Sequence, residues 1–211
     1  MKTPAKTDNK AALNYERYLE RINFYRSFGY DLEKEREILL DKSLPVSGKI
    51  LEIGTGKGHF ALALAKRGSY FVSIDISASS QHIAEMNLRH LGLKKYANLR
   101  IMDARNMDFP GESFDAVFSV NVFHHLERPS EVLGEVIRVL KPGGRVILSD
   151  FNARGMRLIN ACHSYEGHNH DFSRQGLSRA ADYLSRRNFQ IKQYESEAQH
   201  IIIARDKTKK K

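Results

Sequence analysis

The hydrophobic positions of this chain fall into short apolar runs, separated by segments in which they recur every three or four residues. The runs predict strands, and the wider spacing predicts helices that bury one face. The predicted strands are residues 50–53, 70–76, 98–102, 114–122, 145–151, 189–195 and 199–205. The predicted helices are residues 13–28, 31–40, 59–67, 80–90, 129–140 and 174–187. The mixed, histidine-rich stretch 152–171 is predicted to be a loop.

The order of these elements sets the fold class. Strands alternate with helices from residue 50 to residue 151, which predicts a parallel sheet with helices on both faces. Residues 114–122 are largely apolar, as expected of a central strand buried on both faces. Asp31 is predicted to cap the second helix, and Ser79 or Ser80 to cap the helix that ends at residue 90. We therefore predict an α/β fold, a Rossmann-like three-layer sandwich.

The turn after the first strand carries the first candidate chemistry. Gly54, Gly56 and Gly58 lie between a predicted strand and a predicted helix, where glycine lets a ligand approach bare main chain. The spacing disfavours a dinucleotide without excluding it, because the frame counted from Gly56 ends at Ala61. The phosphate-loop pattern fails, since no Gly-Lys pair precedes Ser or Thr. Glu52 would repel a pyrophosphate but suits a ligand that carries an ammonium and a sulfonium.

The net charge of +9 raises the question of a nucleic-acid partner. Residues 1–10 contribute +2 and residues 205–211 contribute +4, which leaves +3 for the middle of the chain. Most of the excess therefore lies in terminal tails, where charge usually serves solubility. A nucleic-acid partner is disfavoured but stays open, because such tails bind polyanions in a salt-sensitive manner.

Cysteine count and hydropathy bear on the compartment. The single cysteine, Cys162, excludes an internal disulfide and suits a reducing environment. No apolar run is long enough to span a bilayer, and no apolar segment follows Met1. We therefore expect a cytoplasmic protein without membrane contact, and the oligomeric state is left open.

Five elements in order resemble the class I S-adenosylmethionine-dependent methyltransferases, in particular the branch that acts on small metabolites. They are the stretch 51–58 (Leu-Glu-Ile-Gly-Thr-Gly-Lys-Gly), Asp75, Asp103-Ala104, Phe114-Asp115-Ala116-Val117 and Leu140-Lys141-Pro142-Gly143-Gly144. The resemblance covers about residues 48–151. It implies a seven-stranded, mostly parallel sheet whose last strand is antiparallel, S-adenosylmethionine as cofactor and a small-molecule substrate.

The same resemblance implies a set of cofactor-binding residues. Gly54 and Gly56 would approach the methionine part, with Glu52 near its ammonium. Asp75 would accept both ribose hydroxyls, Asp103 would accept from the adenine amino group, and Asn121 would lie beside the sulfur. The complete predicted set is Glu52, Gly54, Thr55, Gly56, Asp75, Ile76, Asp103, Ala104 and Asn121.

Histidines supply the candidates for proton transfer. A base is needed only if the acceptor carries a proton of high pKa, and histidine titrates near neutrality. His124 and His125 follow the fourth strand, and His163 follows the fifth, so these three are the predicted catalytic residues. Cys162, His163, His168, His170 and Asp171 lack the spacing of a zinc site. We therefore predict no metal and interpret this stretch as a polar substrate loop that also offers Tyr165 and Glu166.

Three functions stay open from the sequence. The favoured one is methyl transfer to a small-molecule acceptor. The alternatives are a methyltransferase for nucleic acid or protein, and a cofactor-binding domain without catalysis. The fourth-strand tip, Asn121-Val122-Phe123-His124, is not the Asn/Asp-Pro-Pro-aromatic tip of amino-methylating nucleic-acid enzymes, and Cys162 is too far from it to serve as the cysteine nucleophile of cytosine-carbon enzymes.

The segments outside the resemblance suggest how a substrate is enclosed. We divide the chain into an N-terminal helical cap (1–47), a methyltransferase domain (48–205) and a basic tail (206–211). One interpretation is that Tyr15, Tyr18 or Tyr25, together with the loop 163–170, closes over the reacting methyl group. The other is that the N-terminal helices only cover a distant sheet edge.

Overall fold

A computed structural model describes residues 6–167 and 176–207. Its helices are α1 (Lys6–Ser27), α2 (Leu32–Ser43), α3 (His59–Lys66), α4 (Ala78–His90), α5 (Pro129–Val139), α6 (Ala153–Tyr165) and α7 (Gly176–Ser185). Its strands are β1 (Ile50–Ile53), β2 (Phe71–Asp75), β3 (Ala97–Ile101), β4 (Phe114–Val120), β5 (Leu140–Phe151), β6 (Phe189–Glu195) and β7 (Gln199–Asp206). Short 3₁₀ turns cover Lys94–Tyr96 and Phe123–His125.

The seven strands form one sheet in the order β3-β2-β1-β4-β5-β7-β6. Strands β1 to β5 pair in parallel, while β7 is antiparallel to both of its neighbours, β5 and β6. The order reverses between β1 and β4, and in open α/β sheets ligands bind at the strand ends beside such a reversal. The predicted fold class and the antiparallel last strand are both confirmed.

Two hydrophobic layers cover the two faces of the sheet. On one face α5 and α7 pack through Val136, Leu133 and Leu184 onto Leu51, Val117 and their neighbours. On the other face α1 to α4 pack onto the strand side chains that point the opposite way, including Ala116, Phe118 and Ile147. All four residues of β1 are buried, because a central parallel strand has helices on both sides.

Several predicted boundaries are corrected by the structure. The stretch 152–171 is not a loop throughout, because α6 occupies Ala153–Tyr165. Asn152 caps it by accepting a hydrogen bond from Gly155 N at 2.9 Å, and Ile159 and Cys162 bury one side at helical spacing. Helix α4 is capped by Ser77, whose hydroxyl accepts from Ser80 N, rather than by Ser79 or Ser80.

The remaining corrections concern element ends. Strand β4 ends at Val120, not at residue 122, because the chain turns at Asn121 with a positive φ of 56°. Strand β5 begins at Leu140 rather than at residue 145, with an irregular register between Phe114 and Ala116 of its partner β4. Helix α1 begins at Lys6 instead of residue 13. The cap at Asp31 is confirmed, since its carboxylate accepts from Lys34 N at 3.1 Å.

The N-terminal helices share the core of one face of the sheet, and part of each reaches the carboxyl ends of the strands. Tyr18 and Ile22 of α1 and Leu39 of α2 are buried with the sheet residues of that face. Arg21 of α1 forms a bidentate ion pair with Glu166, the residue that follows α6. The interpretation that these helices cover only a distant edge is therefore wrong. Within residues 6–167 and 176–207, none of the helices has the length and apolarity needed to cross a membrane.

Candidate functional site

The glycine turn after β1 is held open by its backbone geometry. Gly54 has a φ of 85°, and its N–H donates to the carbonyl of Ile74 on β2 at 2.8 Å. A Cβ at this position would overlap the Val122 side chain, so only glycine fits between β1 and the tip of β4. The turn therefore presents bare backbone at the point where the strand order reverses.

Asp75, at the end of β2, fixes the shape of the same turn. Its two carboxylate oxygens accept from Gly56 N and from Ser77 N, each at 2.8 Å. One side chain thus ties the glycine turn to the start of the segment that leads into α4. The half-buried carboxylate stays at the sheet rim, where the resemblance puts the ribose of a cofactor.

Glu52 lies beneath the turn and is only 1% exposed. It accepts from Ser73 Oγ at 2.6 Å and from the Ala61 N–H in the first turn of α3, whose N-cap residue Gly58 has no side chain to offer. Burial raises the pKa of Glu52 to about 8, although the charge of Arg36 acts in the opposite direction. Its other oxygen, Oε1, has no hydrogen-bond partner in the described part of the chain.

The predicted adenine end of the site is open and exposed. Asp103 is held by Arg105, whose guanidinium reaches both carboxylate oxygens at 2.7–3.1 Å. Hydrogen bonds from Arg105 lower the pKa of Asp103. Ile76 is 73% exposed beside Asp75, and Ala104 packs against the core.

A cavity of about 270 Å³ lies between the glycine turn, the tips of β4 and β5, and helices α1, α2 and α6. It brings together seven of the predicted site residues, Gly54, Thr55, Gly56, Asn121, His124, His125 and His163. The other five, Glu52, Asp75, Ile76, Asp103 and Ala104, lie outside its wall. Their roles as ligand contacts stay predictions.

Asn121 forms the tip of β4 at the floor of this cavity. Asparagine tolerates its left-handed backbone conformation, and its N–H donates to the Ser149 carbonyl on β5 at 2.8 Å. Its side-chain Oδ1 is buried without a partner among the described residues. Asn121 thus places an unsatisfied acceptor oxygen in the wall beside the glycine turn.

His124 and Asp150 form a buried pair in the cavity wall. His124 Nδ1 lies 2.5 Å from Asp150 Oδ1, and the His124 backbone N–H donates to Oδ2 of the same carboxylate at 2.9 Å. Phe151 N also donates to Asp150, so the carboxylate is fixed from three directions. Asp150 therefore sets the orientation of the imidazole through Nδ1.

Asp150 is not among the site residues predicted from the sequence, although its position at the end of a predicted strand could have indicated it. It is the penultimate residue of β5, and strand ends on this side of a parallel sheet converge on one rim. The His125 ring is tilted by 50° against the His124 ring, with ring centroids 3.9 Å apart, and His163 of α6 also lines the cavity. All three predicted histidines therefore meet in one place.

Arg36 and His59 were also missed, and both lie in the cavity wall. Arg36 of α2 is 5% exposed, and its Nε and Nη1 have no hydrogen-bond partner within the described ranges. Burial lowers the pKa of His59 to about 3, aided by the positive charges of Arg36, Lys57 and Arg21, so the imidazole is neutral. Its Nδ1 also lacks a partner in that part of the chain.

The tyrosines of α1 divide into two groups. Tyr25 lines the cavity together with Tyr30, as the enclosing interpretation expects. Tyr18 is instead buried against the His59 ring at 4.9 Å, and Tyr15 stacks between Tyr18 and His90. These two tyrosines support the wall and do not line it.

The cluster around Cys162 is only partly described. Cys162 is buried in α6, and burial raises the pKa of its thiol. His168, His170 and Asp171 lie outside the described residues. In residues 6–167 and 176–207, no group of three or more His, Cys, Asp or Glu side chains is arranged to hold a metal ion.

The sequence of this chain is similar to those of known methyltransferases. Residues 51–148 match the family described as a methyltransferase domain. A ubiquinone biosynthesis O-methyltransferase of Dechloromonas aromatica (strain RCB) is 32% identical over 125 residues, which are 58% of this chain and 53% of that protein. The chain thus spans about half the length of this curated relative.

Solved structures share the fold at low identity. A SAM-dependent methyltransferase from Methanosarcina mazei superposes with a TM-score of 0.62 and 23% identity, covering 81% of this chain and 98% of that chain. The [4+2]-cyclase SpnF superposes with a TM-score of 0.66 and 17% identity, covering 84% and 82%. At these identities the likeness establishes the fold and not the reaction.

Proposed function

We propose that this chain, whose residues 51–148 match a methyltransferase domain, is an S-adenosylmethionine-dependent methyltransferase that methylates a hydroxyl group of a small aromatic molecule. The observation that carries the proposal is the buried pair of His124 and Asp150 in a cavity that also contains Asn121 and the glycine turn. Such a pair is suited to accept the proton of a hydroxyl group as its oxygen becomes methylated.

Buried atoms without partners support a fit to the methionine part of S-adenosylmethionine. The buried guanidinium of Arg36 would donate to its carboxylate, with the His59 ring as a neighbouring polar group. Asn121 Oδ1 would accept from its ammonium. Gly54 leaves room for the chain of atoms between these groups, because any side chain there would fill the space beside Val122.

The electrostatics of Arg36 favour an anion at this place. A buried guanidinium without an ion pair is costly, because its charge has lost water and gained no partner. The carboxyl of Glu52 does not neutralise it, since burial raises the pKa of Glu52 to about 8 and favours the protonated form at neutral pH. An incoming carboxylate would supply the missing opposite charge and accept hydrogen bonds from the guanidinium.

The two acids at the rim would hold the nucleoside part. Asp75 keeps lone pairs for the ribose hydroxyls while its backbone bonds to Gly56 and Ser77 hold it in place. Asp103 would accept from the adenine amino group. Its exposed pair with Arg105 is a weak competitor, since surface ion pairs contribute little.

The reaction needs positioning and one proton acceptor. The sulfonium supplies a methyl group that is already activated. The cavity would hold the acceptor oxygen against that methyl group, so that the oxygen would bond to the methyl carbon while sulfur kept the electron pair of the broken carbon–sulfur bond. His124 Nε2 takes the hydroxyl proton, while Asp150 holds Nδ1–H and stabilises the imidazolium that forms. The proton then passes to solvent.

The other cavity walls favour an aromatic acceptor. Tyr25, Leu32, Phe151 and Ile159 offer apolar surface that would pack on a ring and exclude water. His125 and His163 add polar groups at the edge. The named relative, an O-methyltransferase of ubiquinone biosynthesis, supports an oxygen atom as the methyl acceptor.

The cover formed by α1, α2 and α6 disfavours a nucleic-acid or protein substrate, because a polymer would have to enter a cavity of about 270 Å³. A cofactor-binding domain without catalysis is the remaining alternative. A cytoplasmic location and the division at residues 47 and 205 remain part of the proposal.

The test is methyl transfer from radiolabelled S-adenosylmethionine to fractions of a cell extract. We expect label in a low-mass fraction, with the methyl group on oxygen. Asp150→Asn should lose turnover while cofactor affinity stays unchanged. Label in the macromolecular fraction, or equal turnover by His124→Ala and the wild type, would contradict the proposal.

A further inference from the structure

A second charged region lies at the end of the sheet opposite the cavity. Arg145 on β5, Arg205 on β7 and Lys192 on β6 share one face of the sheet, the face that carries α2. With Lys42 at the end of α2 they line a cleft of about 530 Å³, which we name the basic cleft.

The cations of the basic cleft are not neutralised by carboxylates. Within residues 6–167 and 176–207, Lys42, Arg145, Lys192 and Arg205 form no ion pair within 4 Å. Arg145 and Arg205 are directly paired across the antiparallel ladder, where like charges oppose one another. The acid in the cleft, Asp115, is bound by Lys141 Nζ at 2.7 Å and by Lys49 N at 2.8 Å.

Arg145 is held in an environment that disfavours its positive charge. Its Nη1 donates to the Ser43 carbonyl at 2.9 Å, which holds the guanidinium half-buried beside Arg205. Burial and the charge of Arg205 lower the pKa of Arg145. An anion in the cleft would relieve the repulsion between the two guanidinium groups.

The cations of the basic cleft are spread over several elements. Arg145, Arg205 and Lys192 lie on the adjacent strands β5, β7 and β6, and Lys42 lies at the end of α2. The positive charge therefore extends across three strands and is not gathered at one point. A string of phosphates matches such an extended set of cations better than one small anion does.

The position of the cleft argues against a lipid surface. The cleft is concave, between the residues after α2 and the strands, and Tyr194 lies in it under the Lys42 ammonium, 5.3 Å from the ring centroid. It is about 20 Å from the catalytic rim, counted along β5 from Arg145 to Phe151. A planar membrane bound there would face away from the cavity opening.

We propose that the basic cleft binds the phosphodiester backbone of a single-stranded nucleic acid, at a site separate from the methyl-transfer cavity. Arg145 and Arg205 would bind adjacent phosphates, and Lys192 and Lys42 would bind the phosphates on either side.

Fluorescence anisotropy with a labelled 20-nucleotide single-stranded RNA tests this on the full chain. The variant Arg145→Gln/Lys192→Gln/Arg205→Gln should bind at least about tenfold more weakly at 150 mM salt. The slope of log affinity against log salt should fall by about 0.7 for each phosphate that the variant no longer binds. The control Lys10→Gln/Lys95→Gln/Arg186→Gln removes equal charge from exposed positions elsewhere and should bind as the wild type does.

Affinity for S-adenosylhomocysteine, measured by calorimetry, should be unchanged in both triple variants, which shows that they remain folded. Equal loss of RNA binding in the two variants would overturn the proposal, because net charge alone would explain it. Binding to phosphatidylserine vesicles but not to RNA, or no binding of RNA at 50 mM salt, would overturn it as well.

Discussion

The carboxyl group of Glu52 beneath the glycine turn yields a prediction about stability against pH. It is 1% exposed, and its Oε1 has no partner in the described part of the chain. Burial raises its pKa from 4.5 to about 8. The protonated form is therefore preferred in the folded protein, whereas the unfolded chain releases this proton near pH 4.5.

The sign and size of the effect follow from this difference. The contribution of Glu52 to stability is fully present below pH 4.5 and is lost progressively as the pH rises to about 8. Each pKa unit corresponds to about 1.4 kcal/mol, so roughly 3 kcal/mol of unfolding free energy is lost by pH 7. Glu52→Gln cannot ionise and keeps an oxygen that accepts from Ser73 Oγ.

Urea denaturation of wild type and Glu52→Gln at pH 5, 6, 7 and 8 measures the effect. The free-energy advantage of the variant should grow with pH and reach roughly 3 kcal/mol near pH 7. The exposed control Glu20→Gln should show a difference that does not change with pH. A flat difference for Glu52→Gln would refute the reasoning.

Three further predictions concern ligand binding and turnover. Arg36→Gln should weaken S-adenosylmethionine binding by about 10–100-fold while leaving decarboxylated S-adenosylmethionine nearly unaffected, because only the former carries a carboxylate; an equal loss for both ligands in calorimetry would contradict this. Asp150→Asn should lower kcat by about 100-fold or more with cofactor Kd unchanged, and a loss confined to KM would argue against a positioning role for Asp150. Asp75→Ala should cost about 1–3 kcal/mol of cofactor binding free energy through the lost acceptor, and unchanged affinity would show that Asp75 serves the glycine turn alone.

Most of the sheet could be predicted because its strands are short apolar runs bounded by glycine or acid. The central strands show no helical spacing of apolar residues, since both of their faces are buried and nearly every residue is apolar. Helix α6 was missed because only Ile159 and Cys162 of its buried side are strongly apolar, and the surrounding histidines resembled a loop. Its Asn152 cap was the local signal that could have revealed it.

The site was predictable where it depends on strand ends and not where it depends on helix faces. Asn121 and His124 follow β4 directly, so topology brings them to the rim with the glycine turn. Arg36 lies within a charged helix, where the sequence gives no indication of which face is covered. Its burial depends on how α2 packs over the sheet, and that is a tertiary property.

A crystal structure of the chain with bound S-adenosylhomocysteine would test the central claim most directly. We expect the ligand carboxylate within hydrogen-bond distance of the Arg36 guanidinium, and the ligand sulfur beside Asn121, facing the cavity that holds His124. A ligand bound with its sulfur outside this cavity, or with its carboxylate in solvent while Arg36 stays unpartnered, would contradict it.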